Sequence, residues 1–229
     1  MKNKFLSKGM FMGAIVLALA TTVSSCKKDD IDESGSANVK VVNASTASTA
    51  QGFYLAGRTV VQGGLTFGNA SDYISVNSGN NLQLQFRNEG SSSNYASAQM
   101  DLDNGAYYTV FLAGDGQAAR VKVYKDDRSA PTSGKVKVRF AHLSDAAPSA
   151  IDIRTSAGTT LIAGLSRDNA SNYIEVNPGV VSLQVFPAGQ NTNVNAAFDI
   201  TALAENRIYT IYVTGSTENS ISVRQISHN

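Results

Sequence analysis

"NASDYISVNSGN" (residues 69–80) recurs as "NASNYIEVNPGV" (residues 169–180), and this pair decides how the chain is built. Eight of the twelve positions are identical at a shift of 100: Asn69, Ala70, Ser71, Tyr73, Ile74, Val76, Asn77 and Gly79 match their partners. Chance would give roughly one match in such a window. The similarity extends outward. "YTVFLAG" (108–114) matches "YTIYVTG" (209–215) at a shift of 101, and "VKVVNAS" (39–45) aligns with "VRFAHLS" (138–144) at a shift of 99. The chain therefore reads as two copies of one unit of about 90 residues. They run over 38–128 and 135–229, joined by "SAPTSG" (129–134), whose Pro and Gly mark a linker.

Each copy reads as strands. In "NLQLQFR", Leu82, Leu84 and Phe86 alternate with Gln83, Gln85 and Arg87. In "YYTVFLAG", Tyr108, Val110 and Leu112 face one way and Thr109, Phe111 and Ala113 the other. A period of two describes strands buried on one face, as in an antiparallel sheet. The first copy predicts seven runs: 38–44, 52–57, 58–62, 72–76, 81–87, 106–113 and 119–125, with turns at Ser78-Gly79 and Asn104-Gly105. Pro178-Gly179 is the corresponding turn in the second copy. Seven short strands per unit predict all-β architecture: two tandem immunoglobulin-like antiparallel β-sandwich domains, a small barrel per repeat being the alternative. Tyr108, at a strand start after a turn, fits a tyrosine corner. Asn206 replaces Gly105 in the second copy, and both types accept a left-handed backbone.

The N-terminus carries different information. "MKNKFLSKG" holds three lysines and no acid, and the apolar run "MFMGAIVLALA" is 11 residues long. That is too short for a bilayer, which needs roughly 20 residues. It reads as a secretory signal peptide over residues 1–25. Cys26 is the single cysteine, so an internal disulfide is excluded. Val23-Ser24-Ser25-Cys26 resembles the lipobox of bacterial prolipoproteins. That resemblance implies cleavage before Cys26 and its acylation with chains such as palmitate. Lys28, Asp29 and Asp30 resemble the Bacteroidetes signal that sends lipoproteins to the outer face of the outer membrane. Residues 26–37 otherwise read as a flexible tether, being charged and small.

Removing residues 1–25 changes the balance from 19 basic and 18 acidic residues to 16 and 18. Without a basic cluster, nucleic acid is excluded as a partner. There is no Gly-x-Ser-x-Gly elbow, phosphate loop or His-Glu-x-x-His.

"VRFAHLSDAAPSAIDI" (138–153) resembles the opening of the domain of unknown function 4397 family, which carries His-x-Ser, then Ala-Pro, then an apolar-Asp-apolar strand. Those positions are His142, Ser144, Ala147, Pro148, Ile151, Asp152 and Ile153. "SNYIEVNPG" and "IYTIYVTG" look like its later stretches. The first copy departs from the pattern, with Asn43 at the His position and Phe53 at the Asp. The resemblance implies an extracytoplasmic β-sandwich module and brings no activity.

His142, Asp145 and Asp152, with Ser144, are the candidate chemical cluster, as metal ligands or a general base near Ser144. Turn formation by Ser and Asp explains the same residues more simply. His228, beside the C-terminus, reads as a frayed end. Tyr73 and Tyr173 could stack on sugars, but their alternation with Ile and Val favours packing. The expectation is a non-catalytic surface lipoprotein, without cofactor or metal, acting in adhesion or envelope assembly. Its partners would be the membrane, through Cys26, and an envelope protein or a glycan. The alternatives are a glycan-binding module for polysaccharide uptake and a metal-dependent hydrolase centred on His142.

Overall fold

The computed structural model describes residues 29–194 and 198–228. Cys26 and Lys28 lie outside the described residues. The first repeat contains β1 (Asp30–Asn43), β2 (Gln51–Leu55), β3 (Arg58–Leu65), β4 (Ile74–Asn88), β5 (Asn94–Leu102), β6 (Tyr107–Ala113) and β7 (Arg120–Lys125). The second contains β8 (Val136–His142), β9 (Ala150–Thr155), β10 (Thr160–Ser166), β11 (Ile174–Val176), β12 (Gly179–Pro187), β13 (Phe198–Leu203), β14 (Ile208–Thr214) and β15 (Ser222–Ser227).

The same pairing occurs twice. One layer of the second repeat has the order β10-β9-β12-β13 and the other β11-β8-β14-β15. In the first repeat the matching layers are joined, because β4 runs from one into the other. The reason is local. Pro178 lacks an N–H and interrupts the second copy between β11 and β12, whereas Ser78 and Gly79 keep pairing, Gly79 at φ 151°. The turn expected at Ser78-Gly79 is therefore the middle of a strand. Strands β5 and β13 were not among the expected runs, since "NYASAQMDL" has small or polar residues where apolar ones were sought.

Two further differences matter. Strand β1 pairs in parallel with β6, and β8 with β14, inside otherwise antiparallel sandwiches. Residues 30–37, expected in the tether, form the first half of β1, where Asp30 to Asp32 pair with Asn80 to Ser78 across a bulge that ends at Ser36.

Each repeat has its own core. Val39, Val41, Phe53, Leu84, Phe86, Val110 and Leu112 fill the first, and Val138, Phe140, Ile151, Ile153, Val185, Ile211 and Val213 the second. Phe53 pairs with Phe86, and Ile153 with Val185. Phe53 thus holds the inward place of Ile153, not the Asp152 position: a slip of one residue reverses the face. The tyrosine corners form in both repeats. Tyr108 Oη accepts from the Asp103 amide at 3.0 Å, and Tyr209 Oη from the Ala204 amide at 3.2 Å. Gly105 and Asn206 both take left-handed φ, 76° and 59°.

A third apolar cluster lies between the repeats: Val42, Ala44, Phe111, Ala113, Ala141, Leu143, Tyr212 and Ile226. These are the opposite-parity residues of strands expected to be buried on one face only. Strand β14 is buried at every position, and β6 at all but its first. The outward faces of the two β1/β8-type sheets meet, so both faces of each are covered. Phe111 and Tyr212, equivalent positions at a shift of 101, stack edge to face across the seam at 5.3 Å.

Candidate functional site

The seam is apolar in the middle and polar at both ends. At one end lies a buried network around Asp126. Its carboxylate receives Thr109 Oγ1 at 2.8 Å, Tyr73 Oη at 2.7 Å and the Arg139 guanidinium. Arg139 Nε also donates to Thr210 Oγ1 at 3.1 Å and Nη1 to the Lys125 carbonyl at 2.9 Å. His228 bridges Tyr73 Oη (Nδ1, 2.7 Å) and Thr210 Oγ1 (Nε2, 2.7 Å), and its Nδ1 lies 3.9 Å from Asp126. His228 is 1% exposed. It is the closing piece of the seam and not a frayed end.

The network obeys the repeat. Asp126 N donates to Tyr107 O, and His228 N to Ile208 O. These backbone bonds place Asp126 and His228 at the same position of the two copies. Lys40 and Arg139 likewise share a position, facing Thr109 and Thr210. Equivalent residues therefore meet around an approximate two-fold axis, as in an isologous dimer contained in one chain.

The other end is built around Asp115. It accepts from Thr46 Oγ1 at 2.6 Å, the Ala47 amide at 2.9 Å, and the hydroxyls of Ser45 and Ser216. Burial works against its charge, but the hydroxyls of Ser216, Ser45 and Thr46 outweigh that and hold Asp115 below the usual carboxylate range. Beside it Arg120 reaches from the first repeat to Asp168 (2.8 Å) and Asp145 (3.0 Å) of the second.

The sequence candidates are dispersed across these tasks. His142 is fully buried, with Nε2 at 2.8 Å from the Pro148 carbonyl, and burial lowers its pKa. Ser144 Oγ donates to the Gly215 carbonyl and accepts from the Ala147 amide. Asp145 faces Arg120 across the seam. Asp152 accepts from the Gly164 amide (2.8 Å), the Gly189 amide (3.0 Å) and Arg154 (2.9 Å), and the Gly164 bond leads in lowering its pKa. Asp152 ties the irregular part of β10 at Gly164 to the β12–β13 loop at Gly189. Among the described residues no group of three or more His, Cys, Asp or Glu is arranged to hold a metal.

The two tyrosines flank the seam and are half-buried. Lys40 and Arg128 lie over the Tyr73 ring, each 5.0 Å from its centroid. Arg139 and Lys137 cover Tyr173 at 5.0 and 5.2 Å. Burial raises both phenols, Tyr173 to about 12. Their ring faces are committed to cations of the protein itself. Of the export-signal acids, Asp29 Oδ1 accepts from the Gln83 amide at 2.6 Å and Asp30 lies in β1. Asp115, Arg120 and Asp126 were not foreseen. Aligning "KVYKDD" (122–127) with "RQISHN" (224–229) exposes the Asp126–His228 equivalence.

A duplicated β-sandwich joined back to back through a buried seam is the class of protein that this geometry defines. The family model Domain of unknown function (DUF4397) matches residues 37–154, from β1 through β9. The chain belongs to that family. No curated protein matches it. Among solved structures it resembles the C-terminal domain of AlgF from P. aeruginosa (22% identity, TM-score 0.31, covering 41% of this chain and 98% of that one). It also resembles a family CBM26 module of Eubacterium rectale Amy13K, solved with maltoheptaose (12% identity, TM-score 0.27, 82% and 95% covered). A streptococcal virulence factor described as binding alpha-glucan matches equally (12%, 0.27, 82% and 95%). None of these likenesses bears on what this chain binds.

Proposed function

We propose that this chain is a non-catalytic lipoprotein, anchored by acyl chains on Cys26 in the outer membrane and exposed at the cell surface. It works by contact, in adhesion or in an envelope assembly. The observation that carries this reading is how the reactive side chains are used. His142, Ser144, Asp145 and Asp152 each hold a loop or the seam, and they do not converge on one point. What the fold offers outward is strand edges and loops on a doubled scaffold. The lipobox-like Cys26 supports the location.

Pull-down from solubilised outer membranes, followed by gel filtration, tests the reading. A specific protein partner is expected, and recovery only as a solitary monomer refutes it. Cys26→Ala is expected to abolish labelling by a fatty-acid analogue and to release the protein from membranes. Unchanged membrane attachment would refute the anchor.

A further inference from the structure

The two repeats differ at one strand edge. In the first, the extension of β1 covers β4 at its bend, with Ile31 opposite Gly79. Ile31, Leu55, Val60, Val76 and Leu82 line an apolar cavity of about 180 Å³ between the layers. Arg58 sits on Asn77 Oδ1 at 3.0 Å and pairs with Glu33 at 3.1 Å.

The second repeat has the matching cavity, about 170 Å³, lined by Leu161, Val176, Val181 and Leu203 among others. It has no counterpart of the β1 extension, because β8 begins at Val136, opposite Val176. Among the described residues no strand pairs with residues 177–181 on the side away from β13. Val180, at 69%, is the exposed large hydrophobic of the described chain. Lys135 Nζ donates to Asn177 Oδ1 at 2.8 Å. A cation therefore rests on the asparagine position that carries Arg58 in the first repeat.

We propose that this edge, β11 to β12, is a strand-addition site for an extended segment of a partner protein in which an aliphatic residue is flanked by acids. The first repeat supplies the template in its own Asp30-Ile31-Asp32-Glu33. The aliphatic side chain closes one wall of the cavity, as Ile31 does in the other copy. The backbone pairs at Gly179 and Val180, and an acid meets Lys135. Main-chain bonds give such sites affinity, and the side-chain pocket gives them specificity. Pro178 removes one backbone donor from this edge, so an added strand pairs from Gly179 onward. The site rests on the contact reading above and names the partner chemistry for it.

The test uses the full chain in detergent and a fluorescent peptide, Asp-Asp-Ile-Asp-Glu-Ser, the sequence of residues 29–34. Saturable one-to-one binding is expected, with new amide-exchange protection at residues 179–181. Val180→Asp, at an exposed position that leaves folding intact, is expected to weaken binding at least tenfold. Lys135→Glu should weaken it too, and a peptide with lysines for acids should bind that variant better. Absence of saturable binding overturns the site. So does protection confined to residues 78–80, which would mean exchange with the chain's own β1. Self-association abolished by Val180→Asp would assign the edge to a second copy and overturn the partner strand. A successful membrane pull-down with a failed peptide rejects this site alone; failure of both rejects the contact reading.

Discussion

Arg139→Met tests whether the seam holds the two sandwiches as one body. The Arg139 and Asp126 side chains are 3% and 1% exposed. Removing the guanidinium leaves the Asp126 carboxylate buried with two neutral donors, Tyr73 Oη and Thr109 Oγ1. Thr210 and the Lys125 carbonyl lose their partner as well. Breaking one side of a buried ion pair costs about 3–5 kcal/mol. For a folded body of this size each kcal/mol moves the midpoint by roughly 2–4 °C. Differential scanning calorimetry is therefore expected to show Tm lower by about 10 °C. The endotherm should also split, because each repeat keeps its own core once the seam loosens. The double variant Arg139→Met/Asp126→Leu should recover most of the loss, since an apolar pair of similar size is often as stable as a buried ion pair. A single-variant Tm within about 1 °C of wild type would refute this account of the seam, as would a double variant no better than the single.

Burial pushes the His228 pKa down to about 4 from 6.5. Between those pH values the unfolded chain binds the extra proton, so stability falls as pH drops from about 6.5 and levels off below about 4, by up to about 3 kcal/mol. His142 adds a change of the same sign. Denaturant titrations at pH 7 and 5 should show a smaller difference for His228→Gln than for wild type; the groups facing His228 are Asp126, Tyr73, Thr210, Arg139, Lys40 and Arg128. Tyr108→Phe and Tyr209→Phe each remove an acceptor from a loop amide and are expected to lower stability by about 1 kcal/mol in urea unfolding. Asp152→Ala frees the Gly164 amide of β10, the Gly189 loop amide and Arg154, so a loss of about 1–3 kcal/mol is expected, with peptide binding at the β11–β12 edge unchanged.

The duplication, the strand alternation and the tyrosine corners were legible in the sequence, because they are local. A period of two is set by the geometry of a single strand, and a repeat is visible without any contact being known. Apolar residues at Val110 and Leu112 already announced an inner face. The other face was misread. Thr109, Phe111 and Ala113 looked like the outside of a sheet, and only the second copy, folded against the first, makes them interior. The same limit applies to Asp126 and His228. They lie 102 residues apart, each beyond the end of a strand, and His228 reads as a frayed end until the two-fold arrangement brings it within 3.9 Å of Asp126. The sequence by itself determined two sibling sandwiches and a candidate lipid anchor. The tertiary structure alone decided that they share a buried seam, that His142 and Asp152 serve different loops, and that one strand edge is filled in the first copy and open in the second. These outcomes depend on pairings between distant segments, and the energy of such a pairing is not written in either segment alone.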